Sequence, residues 1–132
     1  MAEIVYKELS YKIQGAFYEV YKALGNVHKE GVYHSALIEE LQRAGLKVDS
    51  QKKIDVYYRN KKVGVYIPDL VVEDAVLIEL KCKPILAKSD IYQFWHYLRC
   101  SEYRVGYLAN FGSERKVQLM RRVYDNARVL SR

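Results

Sequence analysis

Ile67-Pro68-Asp69-Leu70-Val71-Val72-Glu73-Asp74-Ala75-Val76-Leu77-Ile78-Glu79-Leu80-Lys81 sets two acids and a lysine into a strongly apolar hairpin. Strand alternation puts Glu79 and Lys81 on one face and leaves Ile78, Leu80 and Cys82 for the other. A turn at Glu73, Asp74 and Ala75 pairs Val72 with Val76 and, further out, Asp69 with Glu79. Directly opposed residues have Cβ atoms roughly 4.5 to 5.5 Å apart, so the two carboxylates repel unless a positive charge lies between them. A hard cation resolves this: Mg²⁺, with Mn²⁺ as substitute, takes oxygen ligands and binds one or two carboxylates together with water and substrate phosphate. Lys81 on the same face can orient an attacking water and meet charge developing on a phosphoryl group. The plainer alternative is a surface hairpin on which Lys81 forms a salt bridge with Glu79.

On the N-terminal side, Ile13, Phe17, Val20, Tyr21 and Leu24 recur at helical spacing, with Ser10 as a cap and Gly25 as a stop. A second helix carries the stripe Val32, Ala36, Leu37 and Leu41 and ends at Gly45. From Leu46 the pattern changes to β-rich runs at 47–49, 54–59, 62–67, 69–72 and 76–82, read as a meandering antiparallel sheet with a hairpin turn at Asn60 and Lys61. Beyond the hairpin, Ser89 reads as the N-cap of a helix to about Arg99, Arg104 to Ala109 as a strand, and Ser113 as the start of a last helix. That last helix would carry Arg115, Lys116, Arg121, Arg122, Arg128 and Arg132 around the stripe Val117, Met120, Tyr124 and Ala127, as a solvated face first and a phosphate contact second. The order is ααβββαβα.

A chain of 132 residues, half of them apolar, suits one domain spanning 1–132. No apolar run approaches the roughly 20 residues of a spanning helix. The N-terminus lacks the basic-then-apolar order of a signal peptide, so the expectation is a cytoplasmic protein with no membrane partner. Cys82 and Cys100 are too few for a disulfide scaffold and read as buried free thiols. His28, His34 and His96 fall in no paired ligand pattern and receive no metal role. The net charge of +6 favours a polyanionic partner without proving one. Most of the 13 tyrosines are expected in the core or at its boundary.

Pro68-Asp69 followed by Glu79-Leu80-Lys81 resembles the signature of the PD-(D/E)XK nuclease superfamily, whose restriction-endonuclease-like αβββαβ core has a mixed central sheet flanked by helices. Within it the chain is similar to the small GxxExxY proteins. Gly15-Ala16-Phe17-Tyr18-Glu19-Val20-Tyr21-Lys22-Ala23-Leu24-Gly25 matches their GAxxEVxxxLG segment, and Glu30-Gly31-Val32-Tyr33-His34-Ser35-Ala36-Leu37 their ExxYxxAL segment. Gln93-Phe94-Trp95-His96-Tyr97 resembles the QxxxY helix of RecB-type nucleases, and Asn110-Phe111-Gly112 the NFG closing the last core strand. The chain departs at Val27, where the family has the glycine of an interhelical turn.

The resemblance implies a Mg²⁺-dependent nuclease acting on DNA. Asp69, Glu79 and the Leu80 carbonyl would hold metal, Glu30 would complete the metal shell and Lys81 would assist the attacking water. Gln93 and Tyr97, four apart on one helix face, would place the substrate, while Tyr92 and Trp95 are expected to be buried. The alternatives are a catalytically inactive nuclease-fold module that binds nucleic acid and a partner subunit whose acidic face is incidental. A homodimer is compatible with the sequence, although no feature fixes an interface.

Overall fold

The computed structural model describes residues 6–124. Helices α1 (Lys7–Leu24) and α2 (Glu30–Arg43) precede strands β1 (Val48–Asp49), β2 (Ile54–Tyr58), β3 (Lys61–Tyr66), β4 (Leu70–Val72) and β5 (Val76–Lys81). Helix α3 (Lys88–Cys100) and strands β6 (Val105–Asn110) and β7 (Gln118–Val123) follow. Five strands form one mixed sheet in the order β1-β4-β5-β6-β7, and β2 pairs with β3 alone. The β5–β6 pairing is parallel, as the α3 crossover requires, and the other pairings are antiparallel. This is the helix-flanked mixed sheet that the hairpin motif led us to expect.

Both faces of the sheet are covered. Leu70, Val72, Val76, Ile78 and Leu80 face α1 and α2, where they meet Ile13, Phe17, Tyr33, Leu37 and Leu41. Val71, Leu77 and Leu108 face α3 and pack with Phe94 and Leu98. Burial on both sides explains why β4 is apolar throughout and why β6 is buried throughout and apolar up to its last residue, Asn110. Glu79 and Lys81 share the α3 face with Leu77 but lie toward its end, half-buried.

Several expectations need correction. The β-rich run is not one meander, because the β2–β3 hairpin leaves the central sheet. Its turn lies at Arg59 and Asn60, with φ of 50° and 65°, the doubly left-handed turn that suits the twist of a two-residue hairpin. The expected last helix is instead β7 as far as the described residues reach; Ala127, Arg128 and Arg132 lie outside them. The reason is the open edge of the fully buried β6, whose backbone groups need partners, and β7 supplies them from Val105↔Val123 to Asn110↔Gln118. Leu119 and Met120 pack on opposite faces of the sheet, so the helical spacing of Val117, Met120 and Tyr124 is coincidental.

Ser10 lies inside α1, buried, with Oγ accepting from Arg121 at 3.2 Å. Ser89 is likewise inside α3; the N-cap is Ala87, whose N–H donates to the Asp90 carboxylate at 2.9 Å, the reach-back of an acid at the third helical position. Cys100 and Tyr92 are exposed and Cys82 and Trp95 half-buried, against the burial expected of them. Val27 has no left-handed backbone; Gly25, at φ 67°, turns the chain out of α1, so the interhelical loop needs no glycine at 27. Among the described residues no helix is long and apolar enough to cross a membrane.

Candidate active site

The register Leu70↔Ile78 and Val72↔Val76, continued outward, sets Asp69 opposite Glu79 and Pro68 opposite Leu80. Asp69 is tied to the neighbouring strand at two points. Its Oδ2 accepts from the Leu80 N–H at 2.7 Å, and its own N–H donates to Glu79 Oε1 at 3.4 Å. The N–H and C=O of one strand residue project to the same edge, so the Leu80 carbonyl also faces the β4 side. The residue opposite is Pro68, which has no N–H to give it. The proline therefore leaves a carbonyl oxygen without its cross-strand donor beside the Asp69 and Glu79 carboxylates.

Burial pushes the Glu79 carboxyl up to about 7; the Asp69 N–H and Lys81 oppose the shift, and Glu30 adds to it. Glu30, at the first position of α2, is also held above the ordinary carboxylate range, by burial and then by the charge of Asp69, with Lys81 and His34 acting the other way. Asp69, Glu79, Lys81 and Glu30 thus form one electrostatic neighbourhood. Lys81 makes no salt bridge with Glu79; its Nζ lies 3.9 Å from Asp90 Oδ1.

Residues 7–123 match the PD-(D/E)XK nuclease superfamily. The chain belongs to that superfamily. No curated protein and no solved structure matches it significantly. PD-(D/E)XK proteins are generally hydrolytic nucleases and typically use divalent metals, so the donor set must be tested against such an ion.

Carboxylate and carbonyl oxygens suit a hard divalent cation, and a desolvated carboxyl at about 7 is one that a cation would stabilise in its ionised form. Among the described residues, however, no group of three or more His, Cys, Asp or Glu side chains is drawn together around one point. Asp69 Oδ2 is held by Leu80, and Glu79 Oε1 receives both the Asp69 N–H and the Tyr66 hydroxyl. The site therefore fits the ion in chemistry and charge, and its carboxylates are satisfied by hydrogen bonds.

Of the two residues expected to place substrate in this nuclease-superfamily site, Tyr97 reaches it indirectly. Its ring stacks on Tyr66 with centroids 3.8 Å apart, and Tyr66 in turn bonds Glu79. Gln93 shares that helix face but is exposed and makes no hydrogen bond among the described residues.

Four further residues tie this cluster and its flanks together, and the motif spacing singles out none of them for that. His34, one turn beyond Glu30 on α2, sets Nε2 3.0 Å from the Asp69 carbonyl oxygen. Tyr66 comes from the separate β2–β3 hairpin, which nothing in the linear pattern places over Glu79. Asp90, buried, accepts from Lys83 Nζ on both oxygens at 2.8 Å and is held below the usual carboxylate range by that hydrogen bond and the Ala87 N–H. Asn110, fully buried, accepts from the Lys83 N–H at 2.9 Å and donates to the Lys83 carbonyl at 2.8 Å, which fixes the chain leaving β5 just after Lys81. The acid three residues after Ala87 and the asparagine ending β6 are the sequence signals that could have found the last two.

Proposed function

We propose that the chain is a Mg²⁺-dependent nuclease that hydrolyses phosphodiester bonds in DNA, Mn²⁺ substituting for Mg²⁺, and that it falls in the GxxExxY group of its superfamily. The observation that carries this reading is the meeting of Asp69 with Glu79 across β4 and β5 while Lys81 follows on the same face. Asp69, Glu79, the Leu80 carbonyl and, from α2, Glu30 are the residues that would hold the ion. Bound there, the cation would polarise a phosphoryl oxygen and raise the acidity of water.

The protein's own contribution is positional and electrostatic. His34 and the Leu80 N–H hold Asp69 by its carbonyl and its carboxylate, so its free oxygen has a fixed origin. The Lys81 ammonium, which pairs with Asp90 rather than Glu79, would orient the attacking water and meet charge developing on the phosphoryl group. Gln93 and Tyr97 would place the substrate phosphate along α3. The formal charge of +6 favours approach to the polyanion, and we place the protein in the cytoplasm.

Titration of Mg²⁺ and Mn²⁺ by calorimetry on the wild type and Glu79→Ala tests the reading. Binding by the wild type that is lost in the variant is expected. Equal binding by both proteins, or none by the wild type, would move the assignment to a nuclease-fold nucleic-acid-binding module without catalysis.

A further inference from the structure

We propose that the β2–β3 hairpin is an arm that grips duplex DNA and lays it beside Glu79. The proposal rests on the nuclease reading for its ligand and goes beyond it in assigning the surface.

The hairpin is a two-stranded ribbon outside the central sheet. Every residue from Tyr57 to Val63 is exposed, and Tyr57, Arg59 and Asn60 border a cavity with Cys100 at the end of α3. Between Gln51 and Tyr66 the chain carries Lys52, Lys53, Arg59, Lys61 and Lys62 against the single acid Asp55. Lys62 meets Asp55 at 3.2 Å, whereas Arg59 and Lys61 at the tip have no acidic partner among the described residues. A basic ribbon of this kind matches a polyanion.

Its width and openness select the kind of polyanion. The major groove of duplex DNA admits a two-stranded β-ribbon, and a ribbon seated there meets phosphates on both flanks. Arg59 in the turn, Lys61 and Lys62 on β3, and Lys52 and Lys53 just before β2 provide for that. Tyr57 and Tyr58, 53% and 63% exposed, follow one another on β2 and so point to opposite faces, which denies a single strand a continuous stacking platform. Lys61 and Lys62 on the β3 edge oppose strand pairing there with a second copy of the chain.

The base of the arm is anchored at the candidate active site. Ile54 and Tyr66 pack against the α3-side core, the Tyr66 hydroxyl donates to Glu79 and its ring stacks on Tyr97. The register pairs Ile54 with Tyr66 at the base and, beyond an irregularity between Val56 and Tyr57, Tyr58 with Lys61 at the tip. The ribbon therefore leads from the Tyr58–Lys61 pair at its tip down to the tyrosine that bonds Glu79. From Tyr66 to Asn60 it spans about 20 Å, or about six base-pair steps.

The test is fluorescence anisotropy with labelled duplex and single-stranded DNA of one sequence, in chelator, over a range of salt, so that no hydrolysis is required. The wild type should bind duplex more tightly than single strand. The Arg59→Ala/Lys61→Ala/Lys62→Ala variant should bind duplex about ten-fold or more weakly, with the slope of log K against log salt reduced by about 2 to 3. Thermal melting checks the fold of that variant, and the single Lys61→Gln variant should lower the slope by about 1. Wild-type affinity and slope in a folded variant would overturn the arm, as would preference of the wild type for single strands. A separate cleavage assay distinguishes the two readings: cleavage with an unchanged KM in the triple variant would reject the arm alone. Arm-dependent binding without cleavage by the wild type would support the arm and count against the nuclease reading alone.

Discussion

The Tyr66 hydroxyl donates a hydrogen bond to Glu79 Oε1 across two sheets that share no strand. The oxygen so engaged belongs to the carboxylate assigned to the cation, so hydroxyl and cation compete for it. Tyr66→Phe keeps the ring that stacks on Tyr97 and removes the competitor. A hydrogen bond contributes about 1 kcal/mol net, so Mn²⁺ affinity by calorimetry should rise about five-fold. Unchanged or weaker affinity would show that the hydroxyl does not oppose the ion.

Glu79 makes stability depend on pH in an unusual direction. Its folded-state pKa of about 7 stands above the ordinary 4.5, so between those values the folded protein retains a proton that the unfolded chain has lost. Stability should therefore fall as pH rises through this window, by on the order of 3 kcal/mol. The raised pKa of Glu30 acts in the same sense. Asp90 acts oppositely and elsewhere: its pKa is depressed, so its contribution is present above the ordinary 3.8 and is lost as pH falls through the lower folded value. Urea unfolding from pH 5 to 8 should show the decline in the wild type without metal and a flatter profile in Glu79→Gln. Parallel profiles would contradict the burial assigned to Glu79.

The hairpin that joins Asp69 to Glu79 was legible in the sequence, and what surrounds it was not. Alternation and a short turn sufficed to bring Asp69 to Glu79, because an antiparallel register is fixed locally. The β2–β3 departure was not legible, since a run of Tyr, Val and Lys reads as a strand whichever sheet receives it. Strand β7 was misread because Arg115, Lys116, Arg121 and Arg122 look like a solvated helix face, whereas the exposed edge of β6 decided the matter through tertiary pairing. Tyr66 and His34 reach the site from elements whose placement is non-local.

Asn110 and Gly112 should matter to stability because they join the end of β6 to the chain leaving β5. Asn110→Ala leaves the Lys83 N–H and carbonyl without partners, for a loss of about 2 to 4 kcal/mol. At Gly112 a Cβ would lie 2.4 Å from the Lys83 backbone nitrogen, so Gly112→Ala must push the two segments apart. Both variants should unfold at lower denaturant than the wild type. A Gly112→Ala protein as stable as the wild type would contradict the close approach of the chain after β6 to the chain after β5.

The most direct test of the nuclease assignment is single-turnover hydrolysis of end-labelled duplex DNA with Mg²⁺ by the wild type and by Asp69→Ala, both shown to be folded. Cleavage by the wild type is expected, with a rate at least about 100-fold lower in the variant. Cleavage by Asp69→Ala at the wild-type rate would contradict the assignment.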